Sequence, residues 1–336
     1  MTQIFPPPMD EPHVKAPAAR VAVIAIGRNE GARLRACLAS LSGKAQRVIY
    51  VDSGSTDGSP DAAAAAGAEV VALDMDRPFT AARARNAGLA TLAAAPDGGA
   101  PDYVQFIDGD CALREEWLPA AIAAMEADPR LGVVAGRRRE RFPERSVYNR
   151  LCDAEWDTPV GPALAVGGDM LIRHVAVTGV GGFRDSLIAG EEPEMCVRLR
   201  AAGWTVRRLD VEMTWHDADM TRFAQWWRRS RRTGHAYAEG AALHGAPPER
   251  HWRTETRRAL VWGALLPAAA ILGALVHPAA LLLLLAYPAQ VLRLSRRMGW
   301  ERAFFNVLGK FPEALGALSY LVNRLRRRQV RLIEYK

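Results

Sequence analysis

The stretch Tyr103-Val104-Gln105-Phe106-Ile107-Asp108-Gly109-Asp110 is a short run, apolar but for Gln105, that ends in two carboxylates separated by one glycine. It reads as a strand that delivers acids to a loop, with Gly109 giving the backbone freedom for a turn. Hard cations such as Mg2+ and Mn2+ take oxygen ligands, commonly one or two protein carboxylates, with phosphate oxygens and water completing the set. The same triplet also serves as an ordinary turn, so its chemistry depends on what the neighbouring strands present.

Outward from it, a second strand-like run, Val48 to Val51, ends at Asp52 and is followed by Ser53-Gly54-Ser55-Thr56-Asp57-Gly58-Ser59. Two strands thus bring acids to their C-terminal ends, the edge of an open α/β sheet where ligands bind. Short apolar runs alternate with helix-like segments. Strands are expected at Val21 to Ile26, Val48 to Asp52, Val70 to Leu73 and Tyr103 to Asp108. Helices are expected at Glu30 to Leu41, Ser59 to Ala66, Ala81 to Ala94 and Glu115 to Ala127. That order predicts an α/β fold with a mostly parallel, Rossmann-like sheet and right-handed crossovers. Gly27-Arg28-Asn29-Glu30-Gly31 lacks the dinucleotide fingerprint spacing and no Gly-Lys-Ser phosphate loop occurs, which argues against dinucleotide oxidoreductases and P-loop enzymes.

Further on, Gly167-Gly168-Asp169-Met170-Leu171-Ile172 suggests a loop leading into a strand, and Gly190-Glu191-Glu192-Pro193-Glu194 a helix start. Acids complement a helix N-terminus and Pro suits an early helical position, so this segment has a structural reading as well as a chemical one. Glu194 is expected on the other side of the helix start, in a structural role.

The chain has 336 residues, room for two domains or for one domain with an appendage. Cys37, Cys111, Cys152 and Cys196 lack metal-ligand spacing, and with no cleavable signal before the first strand a reduced cytoplasmic setting is expected. The Pro-rich residues 1–20 read as a flexible leader. The net charge of +7 is unevenly placed: His251 to Lys336 holds fourteen Lys or Arg against four acids, leaving thirty basic and thirty-three acidic residues before it. The basic quarter is also the apolar one, which argues for a membrane surface and against nucleic acid. Ala259 to Leu292 contains no Asp, Glu, Lys or Arg and is interrupted by Pro267, His277-Pro278 and Pro288. A single span needs about 20 apolar residues, so a hairpin turning at His277-Pro278 and a re-entrant pair both remain open. By the positive-inside tendency, Arg257 and Arg258 before it, and Arg293, Arg296 and Arg297 after it, would put both ends on the cytoplasmic side; the alternative is a buried helical pair in a soluble protein. Residues 303–331, ending in Arg326-Arg327-Arg328 and Arg331, read as an interfacial helix drawn to anionic lipid. The expected division is therefore residues 21–250 as the catalytic domain and 251–336 as membrane-associated helices.

Six motifs in order carry a resemblance over roughly Val21 to Gly240. They are Arg28-Asn29-Glu30, Val51-Asp52-Ser53-Gly54-Ser55-Thr56-Asp57, Ala84-Arg85-Asn86-Ala87-Gly88, Asp108-Gly109-Asp110, Gly190-Glu191-Glu192 and Gln225-Trp226-Trp227-Arg228-Arg229. Together they resemble family 2 glycosyltransferases, inverting enzymes with the GT-A fold. The resemblance implies that Asp52 meets the nucleotide base, with Asn29, Glu30 and Arg85 lining the same pocket. It further implies that Asp108 contacts ribose or metal and that Asp110 binds Mn2+ or Mg2+ directly. Glu192 stands where the family often carries the Asp of a Glu-Asp pair, the general base; either Glu191 or Glu192 can fill that role, and alignment favours Glu192. His216, in Trp215-His216-Asp217, resembles the histidine that some GT-A enzymes give to the metal or diphosphate, and also reads as a packed residue. Arg228 is suited to the diphosphate, or to the solvated face of a basic helix. Arg229 replaces the final Trp of the processive motif Gln-x-x-Arg-Trp, so processive synthesis is not expected.

The resemblance implies transfer of one sugar from a nucleotide-sugar, with a UDP-sugar expected, to a hydroxyl of a lipid-linked or cell-surface glycan acceptor at the cytoplasmic face of the plasma membrane. Transfer to a polyprenyl phosphate, and a non-catalytic sugar-nucleotide-binding scaffold, are the alternatives.

Overall fold

A computed structural model describes residues 19–94 and 99–326. Most of the leader and Arg327, Arg328 and Arg331 of the basic end lie outside the described residues.

The first half follows the expected alternation: β1 (Val21–Gly27), α1 (Ala32–Leu41), β2 (Arg47–Asp52), α2 (Ser59–Ala65), β3 (Glu69–Ala72), α3 (Ala81–Ala93) and β4 (Tyr103–Asp108). Strands β3, β2, β1 and β4 lie side by side and parallel. Val23, Ile24, Ile49, Val51, Val104 and Phe106 are fully buried, as near-continuous apolar runs must be when both faces of a parallel sheet are covered. Thr80 starts α3 by accepting a hydrogen bond from the Arg83 N–H at 3.1 Å.

The second half turns the sheet mixed. After β5 (Cys111–Leu113) and α4 (Trp117–Ala127) come β6 (Leu131–Glu140), α5 (Val147–Glu155), β7 (Gly161–Pro162), β8 (Met170–Arg173), α6 (His174–Gly179), α7 (Glu191–Ala201) and β9 (Thr205–His216). The strand order is β3-β2-β1-β4-β8-β6-β9-β5, with β7 also on β9. Strand β8 runs antiparallel to both β4 and β6, and β9 runs parallel to β6. Strand β9 extends to His216, which lies opposite Cys111 of β5.

Helix α8 (Phe223–His244) leads to the C-terminal helices. Among the described residues two segments are long and apolar enough to cross a membrane: Arg253–Ala274, containing α9 (Arg253–Leu260) and α10 (Leu266–Ala274), and Pro278–Met298, containing α11 (Ala286–Met298). Their most apolar windows have mean hydropathies of 1.2 and 1.4 and are only 11% and 6% buried. They pack as a hairpin whose turn, Leu275 to His277, falls at the expected place. The basic amphipathic segment is two helices, α12 (Trp300–Leu308) and α13 (Lys310–Leu325). Helix α13 presses a small-residue face onto α8: a Cβ added at Gly316 would strike the Arg231 carbonyl, and one at Gly234 the Glu313 carbonyl. Its other face leaves Leu315, Leu318, Leu321, Val322 and Leu325 exposed. An aromatic cluster of Tyr148, Trp226 and Phe305 and the Arg150–Glu301 ion pair tie α12 to the sheet domain.

Candidate active site

Sheet register sets the site. Gly27 of β1 pairs with Asp52 of β2, and Ile26 of β1 pairs with Asp108 of β4, so the acids flank the end of β1 on either side. Both loops sit where open α/β sheets bind ligands.

Asn29, Glu30 and Asp52 are brought together. Asp52 Oδ2 accepts from the Gly54 and Ser55 amides at 3.0 and 2.8 Å, while the Tyr50 hydroxyl donates to Oδ1 at 3.0 Å. Asn29 adopts φ +56°, a conformation that Asn tolerates better than most residues, and its Oδ1 accepts from the Thr56 amide at 2.7 Å. The Asn29 amide in turn donates to Ser55 Oγ at 2.8 Å. These bonds lace the two loops into one wall. Glu30 pairs with Arg33 at 2.9 Å, and the Arg28 guanidinium stacks on Phe79 at 4.7 Å.

Arg85 is the hub of the centre. It projects from α3, is 2% exposed, and donates from Nη1 to Glu191 at 2.8 Å and from Nη2 to Asp108 at 3.0 Å. The same Nη1 is 2.9 Å from Glu192. A planar fork reaches three carboxylates where an ammonium would reach fewer. Gly168 makes room for it: a Cβ there would lie 2.6 Å from Arg85 Nη2 and 2.8 Å from Asp108 Oδ2.

Glu191 and Glu192 open α7 behind Gly190, which takes φ +82°. Trp252 fills the space where a Gly190 side chain would stand, fixing the start of the helix against the C-terminal region. Glu191 is buried, whereas the Glu192 side chain keeps 13% of its surface. Burial and the adjacent Glu191 push Glu192 up to about 7 despite the opposing pull of Arg85. A carboxyl poised near neutrality is matched to taking a proton from a hydroxyl. Glu194 faces elsewhere, bound to Arg198, Arg184 and His244, in the structural role expected of it.

Asp108 and Asp110 have different surroundings. Asp108 Oδ1 faces Arg85 and Oδ2 faces Arg138 at 3.2 Å, so a metal there competes with two guanidinium groups. Asp110 Oδ2 lies 3.3 Å from His216 Nε2, and with Cys111 these residues form a buried group of donor atoms able to hold an ion. The donor set fits a hard divalent cation through Asp110 and His216. Burial pushes the Cys111 thiol well up, keeping it protonated and a poor ligand. Burial lowers His216, keeping its ring neutral as a ligand must be. Glu140 Oε2 sits 3.4 Å from His216 Nδ1, a placement that orients Nε2 toward Asp110. Trp156 packs edge-on to His216 at 4.5 Å. A bound cation would neutralise charge on a departing diphosphate.

Sequence reading passed over Arg138, Glu140 and the role of Asp169. Asp169 is 1% exposed; it accepts from the Asp108 amide, Arg138 and Thr214, bracing the turn that carries Asp108 and Asp110. Its signal was the Gly167-Gly168 pair before it. Arg138 lay hidden in the run Arg137-Arg138-Arg139, where only strand register shows which arginine meets Asp108. Arg228 is exposed on α8, and none of the bonds that build the centre involves it. Gln225 instead caps α8 by accepting from the Thr221 and Arg222 amides, and Trp226 and Trp227 belong to the aromatic packing.

Residues 22–187 match the family model described as glycosyl transferase family 2. The pre-mycofactocin glycosyltransferase of Mycobacterium tuberculosis (strain CDC 1551 / Oshkosh) is 29% identical over 236 residues, covering 67% of this chain and 48% of that protein. The chain thus spans about half the length of the curated relatives it matches. The mannosyltransferase PcManGT from Pyrobaculum calidifontis, solved in complex with GDP-Man and Mn2+, is similar at a TM-score of 0.61 and 20% identity, over 90% of this chain and 88% of that one. That likeness is one of fold and identifies the mostly parallel α/β sheet as GT-A. The family match ends before Glu191, Glu192 and His216, which join the centre through Arg85 and Asp110. With its GT-A sheet and its ordered motifs, the chain is similar to glycosyl transferase family 2 over residues 22–187.

Proposed function

We propose that the chain transfers a single sugar, with inversion, from a nucleotide-sugar to a hydroxyl of a lipid-linked acceptor. The observation that carries this reading is Arg85 holding the Glu191–Glu192 pair beside Asp108, with Asp110 and His216 next along the chain and the sheet. The loops of Asn29 and Asp52 receive the nucleotide. A UDP-sugar is the expected donor; the GDP-Man bound by the Pyrobaculum calidifontis mannosyltransferase makes guanine the alternative base. Asp110 and His216 take Mn2+ or Mg2+ together with the diphosphate. Glu192 removes the acceptor proton as the hydroxyl attacks the face of the sugar opposite the diphosphate.

The lipid character of the acceptor rests on the exposed apolar hairpin, which would keep the site at the cytoplasmic membrane surface and raise the local concentration of a lipid-borne acceptor. The test is transfer of labelled sugar from a nucleotide-sugar panel into the organic-soluble fraction of a membrane-lipid extract. Label in that fraction, with inverted anomeric configuration, supports the reading; label only in water-soluble product overturns its acceptor.

A further inference from the structure

The foot of the apolar hairpin holds a second polar feature that the transfer centre does not use. Arg250, Arg253, Thr254, Arg257, Arg258, Val261 and Trp262 line a cavity of about 670 Å³. Arg253, Thr254, Arg257, Arg258 and Val261 recur at helical spacing and so share one face of the segment entering the hairpin, while Arg250 joins them from the turn before α9. All four arginines are exposed, and among the described residues none of their guanidinium groups is ion-paired. Arginines of the sheet domain contrast with them: Arg85, Arg138, Arg198 and Arg229 each hold a carboxylate. Four like charges on one cavity wall repel each other unless an anion joins them.

The same helix then changes character abruptly. Beyond Arg258 the face continues through Val261, Leu265 and Leu272, which are 37%, 61% and 63% exposed, and Tyr287 closes onto Trp262 by donating to its carbonyl at 2.6 Å. Guanidinium groups followed by apolar side chains, with a tryptophan at the boundary, match a molecule with an anionic head and a hydrocarbon tail.

We propose that this cavity binds the phosphate headgroup of an anionic membrane phospholipid, Arg250, Arg253, Arg257 and Arg258 holding the phosphate and the hairpin flank receiving the acyl chains. The proposal rests on the membrane reading given above. Guanidinium forks suit phosphate oxygens better than ammonium groups do, so a built site differs from general attraction of positive charge. Trp252, between Arg250 and Arg253, packs against Gly190 at the head of the catalytic helix, so the occupied cavity would border the transfer centre.

The experiment follows thermal stability of the full chain in neutral-detergent micelles doped with phosphatidylglycerol, phosphatidylcholine or inorganic phosphate. A ligand of the native state raises the melting temperature in proportion to its binding. The expected result is a rise with phosphatidylglycerol that phosphatidylcholine does not give. The joint variant Arg253→Lys, Arg257→Lys, Arg258→Lys should bind it about tenfold or more weakly. The equally basic control Arg293→Lys, Arg296→Lys, Arg297→Lys should keep the shift. Equal losses in both variants, no loss in the first, or equal shifts with both lipids would overturn the proposal. A full shift with inorganic phosphate alone would replace the lipid by a free anion. Flotation of the wild-type chain with liposomes is run beside it: failure to associate with any vesicle removes the membrane reading itself, whereas association without the selective shift removes only this site.

Discussion

Arg85 Nη1 and Glu192 Oε1 lie 2.9 Å apart, and that contact joins the helix bearing the candidate base to the strand bearing Asp108. The guanidinium fixes where the carboxylate points. Burial and Glu191 outweigh its pull, so Glu192 stays able to hold a proton near neutrality.

Arg85→Ala leaves Glu191 and Glu192 without their cation and Asp108 with Arg138 alone. Breaking a buried pair from one side costs about 3–5 kcal/mol, and urea unfolding should show a loss of that order together with loss of transfer. Arg85→Lys should recover part of the stability but little of the turnover, because one ammonium replaces a planar fork.

Glu192 gives a pH signature of defined sign. As general base it works ionised, so kcat/KM should climb as pH rises through about 7 and then level. Glu192→Gln should flatten the climb and lower turnover by about 10²–10⁴-fold. Glu192→Asp should retain the climb at reduced rate. For stability the sign is opposite. The folded carboxyl lies above its ordinary 4.5, so its contribution is full below that value and is lost as pH rises through about 7. The melting temperature of Glu192→Gln relative to wild type should therefore increase between about pH 5 and about pH 8. A retained pH-dependent rate in Glu192→Gln would transfer the role to Glu191, and undiminished turnover would favour an acceptor already ionised, such as a polyprenyl phosphate.

Glu140→Gln removes the charge facing His216 Nδ1 without removing a candidate ligand. Loss of such an outer partner weakens metal binding by roughly 10- to 100-fold. Titration with Mn2+ should show activity shifted to higher metal concentration, with the maximum largely retained.

Gly234→Ala places a methyl group against the Glu313 backbone where α8 and α13 cross. Overpacking of this kind costs roughly 1–3 kcal/mol. Hydrogen exchange should rise in α13 while β1 and β4 keep their protection.

Much of this arrangement was legible in the sequence because it depends on local pattern. The runs at Val21, Val48 and Tyr103 are apolar enough to be buried strands, and Asp52 and Asp108 end theirs by position alone. What escaped depends on pairing between distant segments. Arg138 differs from Arg137 and Arg139 only through the register of β6, and Asp169 becomes a brace only because antiparallel β8 sets it beside β4. The helix of residues 310–325 read as an amphipathic surface element. Its glycine and alanine face becomes meaningful only when Gly234 is found opposite. Arg228 was singled out by motif, yet side-chain direction on α8 places it in solvent.

The most direct measurement is release of nucleoside diphosphate from a panel of nucleotide-sugars by the detergent-extracted chain with Mn2+ or Mg2+, beside Asp110→Ala. Release from one donor that requires the metal and disappears in the variant is the predicted result. Release that survives Asp110→Ala at full rate, or no release and no binding of any donor, would contradict it.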